Sequence, residues 1–253
     1  MTPTAVSPLL DGIDLVIFDK DGTLIEFHAM WGAWAAELGR RLEAATRRPV
    51  AGDVFVAIGY DPSSGRIQPG GALAIATNAE IAERIAAVMR RWCPSVAAAR
   101  RAVEAAWFEP DPVTTALPTA DLVVLFGALR NSGRQIAVAT TDDRAPTDLT
   151  LRALGVREHV AALACGDDDL GRKPEPGMVL ALCSALRTHP TRTAVVGDTP
   201  ADLEMGRAAG AGQVIGVLSG VAGQADLEPI ADAVIPSVGE LVDGDGCQAG
   251  SAR

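Results

Sequence analysis

The chain has 253 residues and a formal net charge of −10, with an isoelectric point of about 4.8. So acidic a chain is poorly suited to binding nucleic acid or an anionic membrane over a broad surface. Apolar residues make up 48% of the sequence. That share allows a sizeable core, either in one large domain or in a core domain with a smaller inserted one.

Cysteine spacing and the N-terminal sequence both bear on location. Cys93, Cys165, Cys183 and Cys247 are far apart and form no C-x-x-C pair, which favours reduced thiols over disulfides or a zinc site. The first ten residues lack a basic stretch followed by an apolar one, and no apolar run is long enough to span a membrane. We therefore expect a cytoplasmic protein with no signal peptide and no membrane contact.

The first predicted strand is the apolar run 13–18, which ends at Asp19. Residues 27–115 then have a helical pattern, interrupted by a turn-rich stretch at 59–66. The helices predicted in this block are about 29–47, 79–92 and 95–108. A block of this length is too long for an ordinary connection between strands. It predicts an inserted helical cap domain that returns to the core through a Pro-rich hinge at 109–112.

From residue 116 onward, short apolar runs alternate with helical patterns. The predicted strands are 135–140, 160–165, 193–197, 213–218 and 232–235. The predicted helices are roughly 119–131, 146–155, 175–188, 200–210 and 223–230. Such alternation predicts an α/β fold with a doubly wound parallel sheet, formed by residues 1–26 and 116–242 with the helical cap inserted. Residues 243–253 are small and polar, and we expect them to be a disordered tail.

Polar side chains follow four of these strands, at the edge where ligands bind in this class of fold. They are Asp19 and Asp21, Thr140 and Thr141, Lys173, and Asp198 and Asp202. An all-oxygen acidic cluster suits a hard cation, and Mg²⁺ commonly binds through one or two carboxylates plus substrate phosphate. One carboxylate can attack phosphorus, and a second can exchange a proton with the leaving oxygen. A threonine and a lysine can hold the phosphoryl oxygens.

These residues resemble the four sequence motifs of the haloacid dehalogenase superfamily, most of whose members are phosphatases. The motifs are Asp19-Lys20-Asp21-Gly22-Thr23, Thr140, Lys173-Pro174, and Gly197-Asp198-Thr199-Pro200-Ala201-Asp202. The resemblance runs from about residue 13 to 241 and is greatest to the phosphoglycolate phosphatase branch. It implies a Rossmann-like core, a helical cap inserted after the first motif, a magnesium cofactor and a small phosphorylated metabolite as the substrate.

The resemblance also implies a role for each motif residue. Asp19 would be the nucleophile and a magnesium ligand, and Asp21 the general acid and base with its backbone carbonyl on the metal. Asp198 would complete the metal site. The residues that would bind the phosphoryl group are Thr140, Thr141 and Lys173. The residues that would support the site are Asp202, Gly22 and Thr23.

Several positions remain open on the sequence alone. Lys20 stands where an apolar residue is common in that branch. Trp31 and Trp34 have the spacing of a packed helix face. His28 and Arg66 are candidate substrate contacts but could equally be structural. The turn-rich stretch fits no recognised motif, so the sequence leaves the specificity for substrate open.

The predicted activity is hydrolysis of a small phosphate monoester through a phosphorylated Asp19. A phosphomutase of the same superfamily would use the same residues, and a phospho-aspartate signalling module would share the acidic cluster without turnover. Dehalogenation is disfavoured because Asp21 is retained. Schiff-base hydrolysis of phosphonoacetaldehyde is disfavoured because the insert contains no lysine. We expect no nucleic-acid partner, and either a monomer or a homodimer.

Overall fold

The computed structural model describes residues 4–108, 110 and 116–243. Its strands are β1 (Leu15–Phe18), β2 (Tyr60–Asp61), β3 (Arg66–Ile67), β4 (Gln135–Ala139), β5 (Ala162–Ala164), β6 (Thr193–Gly197), β7 (Gln213–Val217) and β8 (Ala233–Ile235). Six of them form one sheet in the order β5-β4-β1-β6-β7-β8, and every neighbouring pair in it is parallel. The predicted α/β fold class is confirmed, and the predicted strand ends differ from the observed ones by two residues at most.

Helices precede or follow most of these strands. They are α1 (Phe27–Thr46), α2 (Ala51–Ile58), α3 (Ala72–Ile75), α4 (Asn78–Met89), α5 (Val96–Ala106), α6 (Leu122–Asn131), α7 (Arg144–Ala153), α8 (Gly177–Leu186), α9 (Pro200–Ala209) and α10 (Gln224–Leu227). Those after residue 116 connect parallel strands of the sheet, which is why strands and helices alternate along that part of the chain.

Helices cover both faces of the main sheet. Val16 and Phe18 of β1 belong to an apolar cluster that includes Phe126 of α6, and the Phe18 and Phe126 rings stack at 5.4 Å. Leu15 and Ile17 belong to a second cluster with residues of α8 and α9. Successive side chains of a strand point to opposite faces, so a strand covered on both sides must be apolar at every position. This explains the uninterrupted apolar run before Asp19.

The helical insert, residues 27–106, supplies most of a further apolar cluster, which also includes Ile25 and Val221 of the core. Trp31, Trp34, Leu38 and Leu42 lie on one face of α1 and pack into this cluster with residues of α2, α4 and α5. Where the insert leaves and rejoins the sheet, the chain pairs with itself through a bridge between Ile25 and Pro118. The two connections between the core and the insert therefore lie side by side. The division of the chain into a core domain and a cap domain stays a prediction.

The insert differs in detail from the sequence prediction. The helices α2 and α3 were not predicted, and the turn-rich stretch forms a hairpin of β2 and β3. Both helices are short, at eight and four residues, and runs of that length are too short for a helical period to stand out. Gly59 ends α2 with a φ of 76°, a left-handed conformation in which glycine carries no steric penalty.

Parts of the sequence analysis concern residues outside the described ranges. The predicted hinge at 109–112 lies outside them except for Pro110, and so does the predicted tail beyond Asp243. Cys93, Cys165 and Cys183 are free thiols, whereas Cys247 is among the residues not described. Of the helices that the structure describes, none combines the length and the apolar character needed to cross a bilayer.

Candidate active site

Asp19 follows β1 directly, at the centre of the sheet. Its backbone amide donates a hydrogen bond to the carbonyl of Val196 in β6, at 2.9 Å, and only 9% of the residue is exposed. Thr140 and Asp198 follow the two strands that flank β1. Because the carboxyl ends of parallel strands share one edge, three distant parts of the chain meet at Asp19.

Lys173 forms the main cationic contact of this edge. Its ammonium donates to Asp19 Oδ1 at 2.6 Å and to Asp202 Oδ1 at 2.5 Å, and 5% of its side chain is exposed. Burial alone would lower the pKa of this ammonium, but the carboxylates of Asp19 and Asp202 outweigh burial and raise the pKa. Asp202 Oδ2 also accepts from the amide of Thr199 at 3.1 Å, in the capping box that starts α9. The start of a helix therefore fixes the position of Lys173.

Asp198 is fully buried beside this pair. Its carboxylate accepts from the hydroxyl of Thr23 at 3.1 Å and from the amide of Val221 at 2.9 Å. A Cβ atom at Gly22 or Gly220 would overlap that carboxylate, and Gly22 has a φ of 92°. Both positions therefore require glycine. The first motif and the loop after β7 close together around one acidic side chain.

Three buried carboxylates are crowded at this edge. One oxygen from each of Asp19, Asp198 and Asp202 lies within 4.8 Å of the others. Burial, opposed by Lys173 and reinforced by the neighbouring carboxylates, raises the pKa of Asp19 to about 7. Burial and the charges of Asp19 and Asp202 raise the pKa of Asp198 well above its ordinary value. A divalent cation would relieve this repulsion, and an all-oxygen donor set of this kind fits Mg²⁺.

Asp21 belongs to a second ion-paired group. It accepts from the ammonium of Lys20 at 2.9 Å and from the indole of Trp31 at 3.0 Å. Only 1% of the Lys20 side chain is exposed, and its ammonium also lies 3.2 Å from Asp142. Asp142 in turn accepts from the side-chain amide of Asn78, at the start of α4, at 2.6 Å. The predicted acid and base is thus linked to the insert at two points.

The predicted phosphate-binding residues differ in their surroundings. Thr141 and Lys173 line the cavity in front of Asp19, together with Asp21 and Asp202. The Thr140 hydroxyl instead accepts from the amide of Asp142, at 3.1 Å. Thr141 lines the cavity and Thr140 does not; phosphate binding by either threonine stays a prediction.

The cavity in front of Asp19 lies between the sheet edge and the insert. The space in front of Asp19 measures about 520 Å³ when its opening to solvent is included. The insert contributes Phe27, Trp31, Leu73, Ala74, Ile75, Ala76, Asn78 and Ile81 to its wall. Neither His28 nor Arg66 is in that wall. Burial and the nearby Arg66 guanidinium lower the pKa of His28, and a substrate contact by either residue stays a prediction.

A further acidic cluster lies away from this cavity. An oxygen of Asp167, an oxygen of Asp168 and the sulfur of Cys165 lie within 4.8 Å of one another. Arg144, at the start of α7, donates to both aspartates, from its amide to Asp167 at 3.0 Å and from its guanidinium to Asp168 at 2.5 Å. These contacts give the two aspartates a structural role, which is to fix the loop after β5 against the start of a helix.

Sequence reasoning missed several residues of the site. Asp142 and Asn78 belong to no motif, and the indole contact of Trp31 cannot be inferred from helical spacing. The Ser219 hydroxyl donates to the carbonyl of Gly22 at 2.7 Å, which fixes the loop that carries Asp21. The glycine–serine composition of the loop after β7 was the one available signal, since close backbone approach requires small residues.

Comparison with known proteins agrees with this geometry. The family model for haloacid dehalogenase-like hydrolases matches residues 13–210. A phosphoglycolate phosphatase from Rhodospirillum rubrum is 32% identical over 117 residues, which cover 46% of this chain and 48% of that protein. The alignment thus spans about half the length of this curated relative.

Solved structures with low sequence identity have the same fold. A predicted phosphoglycolate phosphatase from Haemophilus somnus 129pt superposes with a TM-score of 0.64 at 17% identity, covering 90% of this chain and 96% of that one. A β-phosphoglucomutase from Clostridium difficile superposes with a TM-score of 0.62 at 17% identity, covering 90% and 93%. The family assignment rests on the match over residues 13–210. The chain belongs to the haloacid dehalogenase-like hydrolases.

Proposed function

We propose that the protein hydrolyses a small phosphate monoester with the help of Mg²⁺, through an aspartyl-phosphate formed on Asp19. The observation that carries this proposal is the position of the Asp19 carboxylate. It lines the cavity between the sheet edge and the insert, contacts the Lys173 ammonium at 2.6 Å, and is crowded by Asp198 and Asp202. A nucleophile, a phosphate-binding cation and a metal-binding cluster are thereby within reach of one substrate phosphorus.

The metal would be held by the carboxylates of Asp19 and Asp198 and by the backbone carbonyl of Asp21. When bound, it would supply positive charge next to the transferring phosphoryl group, where negative charge otherwise accumulates. Asp202 is engaged by the capping box and by Lys173. We therefore assign it the task of positioning Lys173.

In the first step, an Asp19 oxygen attacks phosphorus and the ester P–O bond breaks. The leaving oxygen takes a proton from the Asp21 carboxyl. In the second step, a water oxygen attacks phosphorus, the bond from phosphorus to Asp19 breaks, and Asp21 takes up the proton of the water. Lys173, Thr140 and Thr141 bind the phosphoryl oxygens in both steps. Asp21 lies on the cavity wall together with Asp19, as these two reaction steps require.

The insert is proposed to act as a cap domain, comprising residues 27–115, over a core of residues 1–26 and 116–242. Phosphoglycolate and sugar phosphates are the first substrate classes to test, because of the resemblance and the relative named a phosphoglycolate phosphatase. A cytoplasmic location, a monomeric or homodimeric state, and a role for Gly22 and Thr23 in supporting the site belong to the same proposal.

The test is phosphate release from a panel of phosphate monoesters by the purified protein with Mg²⁺. We expect turnover by the wild-type protein and a loss of about 10⁴-fold or more in Asp19→Asn, as for removal of a covalent nucleophile. Asp169→Asn is the matched control, because Asp169 is exposed and has a φ of 54°, which asparagine adopts readily. Equal activity of Asp19→Asn and the wild-type protein would exclude the proposal.

Two outcomes of the same assay would favour the alternatives. Isomerisation of a hexose phosphate without net release of phosphate would identify a phosphomutase. A phosphorylated protein that is stable with Mg²⁺ and does not turn over would identify a signalling module. Both differ from hydrolysis in the fate of the phosphoryl group, which ³²P labelling of the protein and of the product measures directly.

A further inference from the structure

The part of the cavity wall that faces Asp19 from the insert carries no charge. Its large side chains are those of Phe27, Trp31, Leu73, Ile75 and Ile81. Of the described insert residues that line the cavity, none is acidic, basic or a histidine.

The two polar side chains of this wall each donate a hydrogen bond to a carboxylate of the core. The Trp31 indole donates to Asp21 at 3.0 Å, and the Asn78 amide donates to Asp142 at 2.6 Å. A substrate hydroxyl or carboxylate placed against Leu73, Ile75 or Ile81 would lose hydration and gain no side-chain hydrogen bond in exchange. An unpaired polar group in such a site is strongly disfavoured.

The charges on the core side of the cavity also disfavour an anionic group on the substrate. The carboxylates in or beside the site are those of Asp19, Asp21, Asp142, Asp198 and Asp202, and they outnumber the ammonium groups of Lys20 and Lys173. One divalent cation and the substrate phosphate leave this balance negative. A second anionic group on the substrate would therefore be repelled, because like charges in a site of low dielectric constant interact strongly.

We infer that the group esterified to the phosphate is uncharged and largely apolar, and that Leu73, Ile75 and Ile81 select it. This inference rests on the proposed phosphatase activity and departs from the phosphoglycolate and sugar phosphate classes that the resemblance suggested. It places phosphoglycolate, sugar bisphosphates and hydroxyl-rich sugar phosphates among the poor substrates. Small alkyl or aryl phosphates are the good ones.

A neighbouring cavity is the alternative site for an anionic group of the substrate. It shares Ile75, Ala76, Thr141 and Lys173 with the first cavity, and Arg84 and Arg172 are also in its wall. Arg172 already pairs with Glu80, and both arginines are exposed to solvent. An anionic tail recognised by this protein would have to reach these arginines instead of the apolar wall.

The test compares two esters that differ in one group, ethyl phosphate and 2-phosphoglycolate. We expect kcat/KM for ethyl phosphate to exceed that for 2-phosphoglycolate by about tenfold or more, the scale on which a hydrophobic pocket discriminates. Phenyl phosphate and 4-carboxyphenyl phosphate form a second pair with the same expected order. Quenching of tryptophan fluorescence in Asp19→Asn measures the affinity for each ester without turnover.

One substitution should reverse this order. Ile75 is 41% exposed, so an arginine there can keep contact with water and the fold should tolerate it. We expect Ile75→Arg to shift the ratio about tenfold or more toward 2-phosphoglycolate, and Ile75→Met, a neutral control of similar size, to leave the ratio unchanged.

A wild-type preference for 2-phosphoglycolate that Arg84→Gln abolishes would overturn the inference and leave phosphatase activity standing. A preference for either charged ester that Arg84→Gln does not alter would overturn it as well. Failure to hydrolyse any ester, together with failure of Asp19→Asn to bind any, would remove the inference and the proposed function together. Fluorescence that ranks ethyl phosphate above 2-phosphoglycolate supports the inference even where turnover is slow.

Discussion

The only two lysines of the chain, Lys20 and Lys173, are the centres of two buried ion-paired groups that differ in what surrounds them. Lys173 lies between Asp19 and Asp202, both carried by the sheet and the start of α9. Lys20 lies between Asp21 and Asp142. The Lys20 group also contacts the insert, since Trp31 donates to Asp21 and Asn78 donates to Asp142.

The comparison separates two requirements of catalysis. The three residues of the Lys173 group all belong to the core, and the link to the insert beside them is the pair of the neighbouring Arg172 with Glu80 of α4. The Lys20 group is complete only when α1 and α4 are in the positions seen here. We therefore expect the Lys173 group to determine whether phosphoryl transfer occurs. The Lys20 group should determine whether Asp21, the proposed acid and base, is held in place against the insert.

The largest effect should come from Lys173→Met. Removing one cation that binds the phosphoryl group should lower kcat by about 10²- to 10³-fold. It also leaves two buried carboxylates without their partner, so the free energy of unfolding should fall by about 3–5 kcal/mol. Urea unfolding and steady-state kinetics measure the two effects. Arg172→Met, one residue away with a side chain 67% exposed, is the control and should change little.

Lys20→Met should have a similar effect on stability and a smaller one on rate. Asp21 and Asp142 lose a shared buried cation, which should again cost about 3–5 kcal/mol of unfolding free energy. Because Trp31 still binds Asp21, we expect kcat to fall by roughly 10- to 100-fold, less than the about 10²- to 10⁴-fold that complete loss of general acid–base catalysis costs. Adding Asp142→Asn should recover part of the stability, with a coupling energy of about 0.5–3 kcal/mol. Strict additivity would contradict the paired geometry.

The pH dependence of stability should isolate the Lys173 group. In metal-free protein, burial raises the pKa of Asp19 from its ordinary value of 3.8 to about 7. The folded state then binds more protons than the unfolded state between these values, so the unfolding free energy decreases as pH rises through about 7. The decrease should be about 2–4 kcal/mol, at 1.36 kcal/mol per unit of pKa.

Urea unfolding with EDTA at pH 5 and at pH 8 measures this decrease. Asp19→Asn should reduce the difference between the two pH values, and the remainder should come from Asp198, whose pKa is also raised by burial and neighbouring carboxylates. Mg²⁺ at pH 8 should restore stability to the wild-type protein. A pH dependence that is the same in Asp19→Asn and in the wild-type protein would assign it to other groups.

Asn78→Ala should have the smallest effect on the fold. It removes one of the two donors to Asp142 Oδ1 and leaves the backbone amide of Asp143, at 2.9 Å, as the other. The unfolding free energy should therefore fall by only about 0.5–1.5 kcal/mol. If the Lys20 group depends on the insert, kcat should fall by a few-fold while KM for small phosphate monoesters stays unchanged. Asn131→Ala, at an exposed position, is the control. A change in KM alone would indicate that Asn78 binds substrate instead.

The fold of the core could be predicted because its signals are local. Each parallel strand of the main sheet is a short apolar run, and burial on both faces makes that run continuous. The insert was harder to predict, since α2 and the hairpin of β2 and β3 are too short for a hydrophobic period to be visible in the sequence. The hairpin depends on Asp61, whose carboxylate accepts from Ser63 and Ser64.

The site was predictable to the extent that its residues follow strands. The structure brings Asp19, Asp198 and Asp202 together as strand order requires, although their catalytic roles stay predictions. Asp142 and Asn78 could not be found from sequence, since they meet only through packing of the insert against the loop after β4. Lys20 stood out as one of two lysines, but nothing in the sequence indicated that it would be buried between two carboxylates.

The burial of both lysines has a practical consequence for handling this protein. The exposed fractions of the Lys20 and Lys173 side chains are 1% and 5%, and the other cationic side chains are arginines and histidines. Reagents that acylate surface amines therefore find no exposed lysine on the folded molecule. Acylation of either lysine would report an opening of the structure, so mass spectrometry after a pulse of such a reagent would follow unfolding at two defined positions.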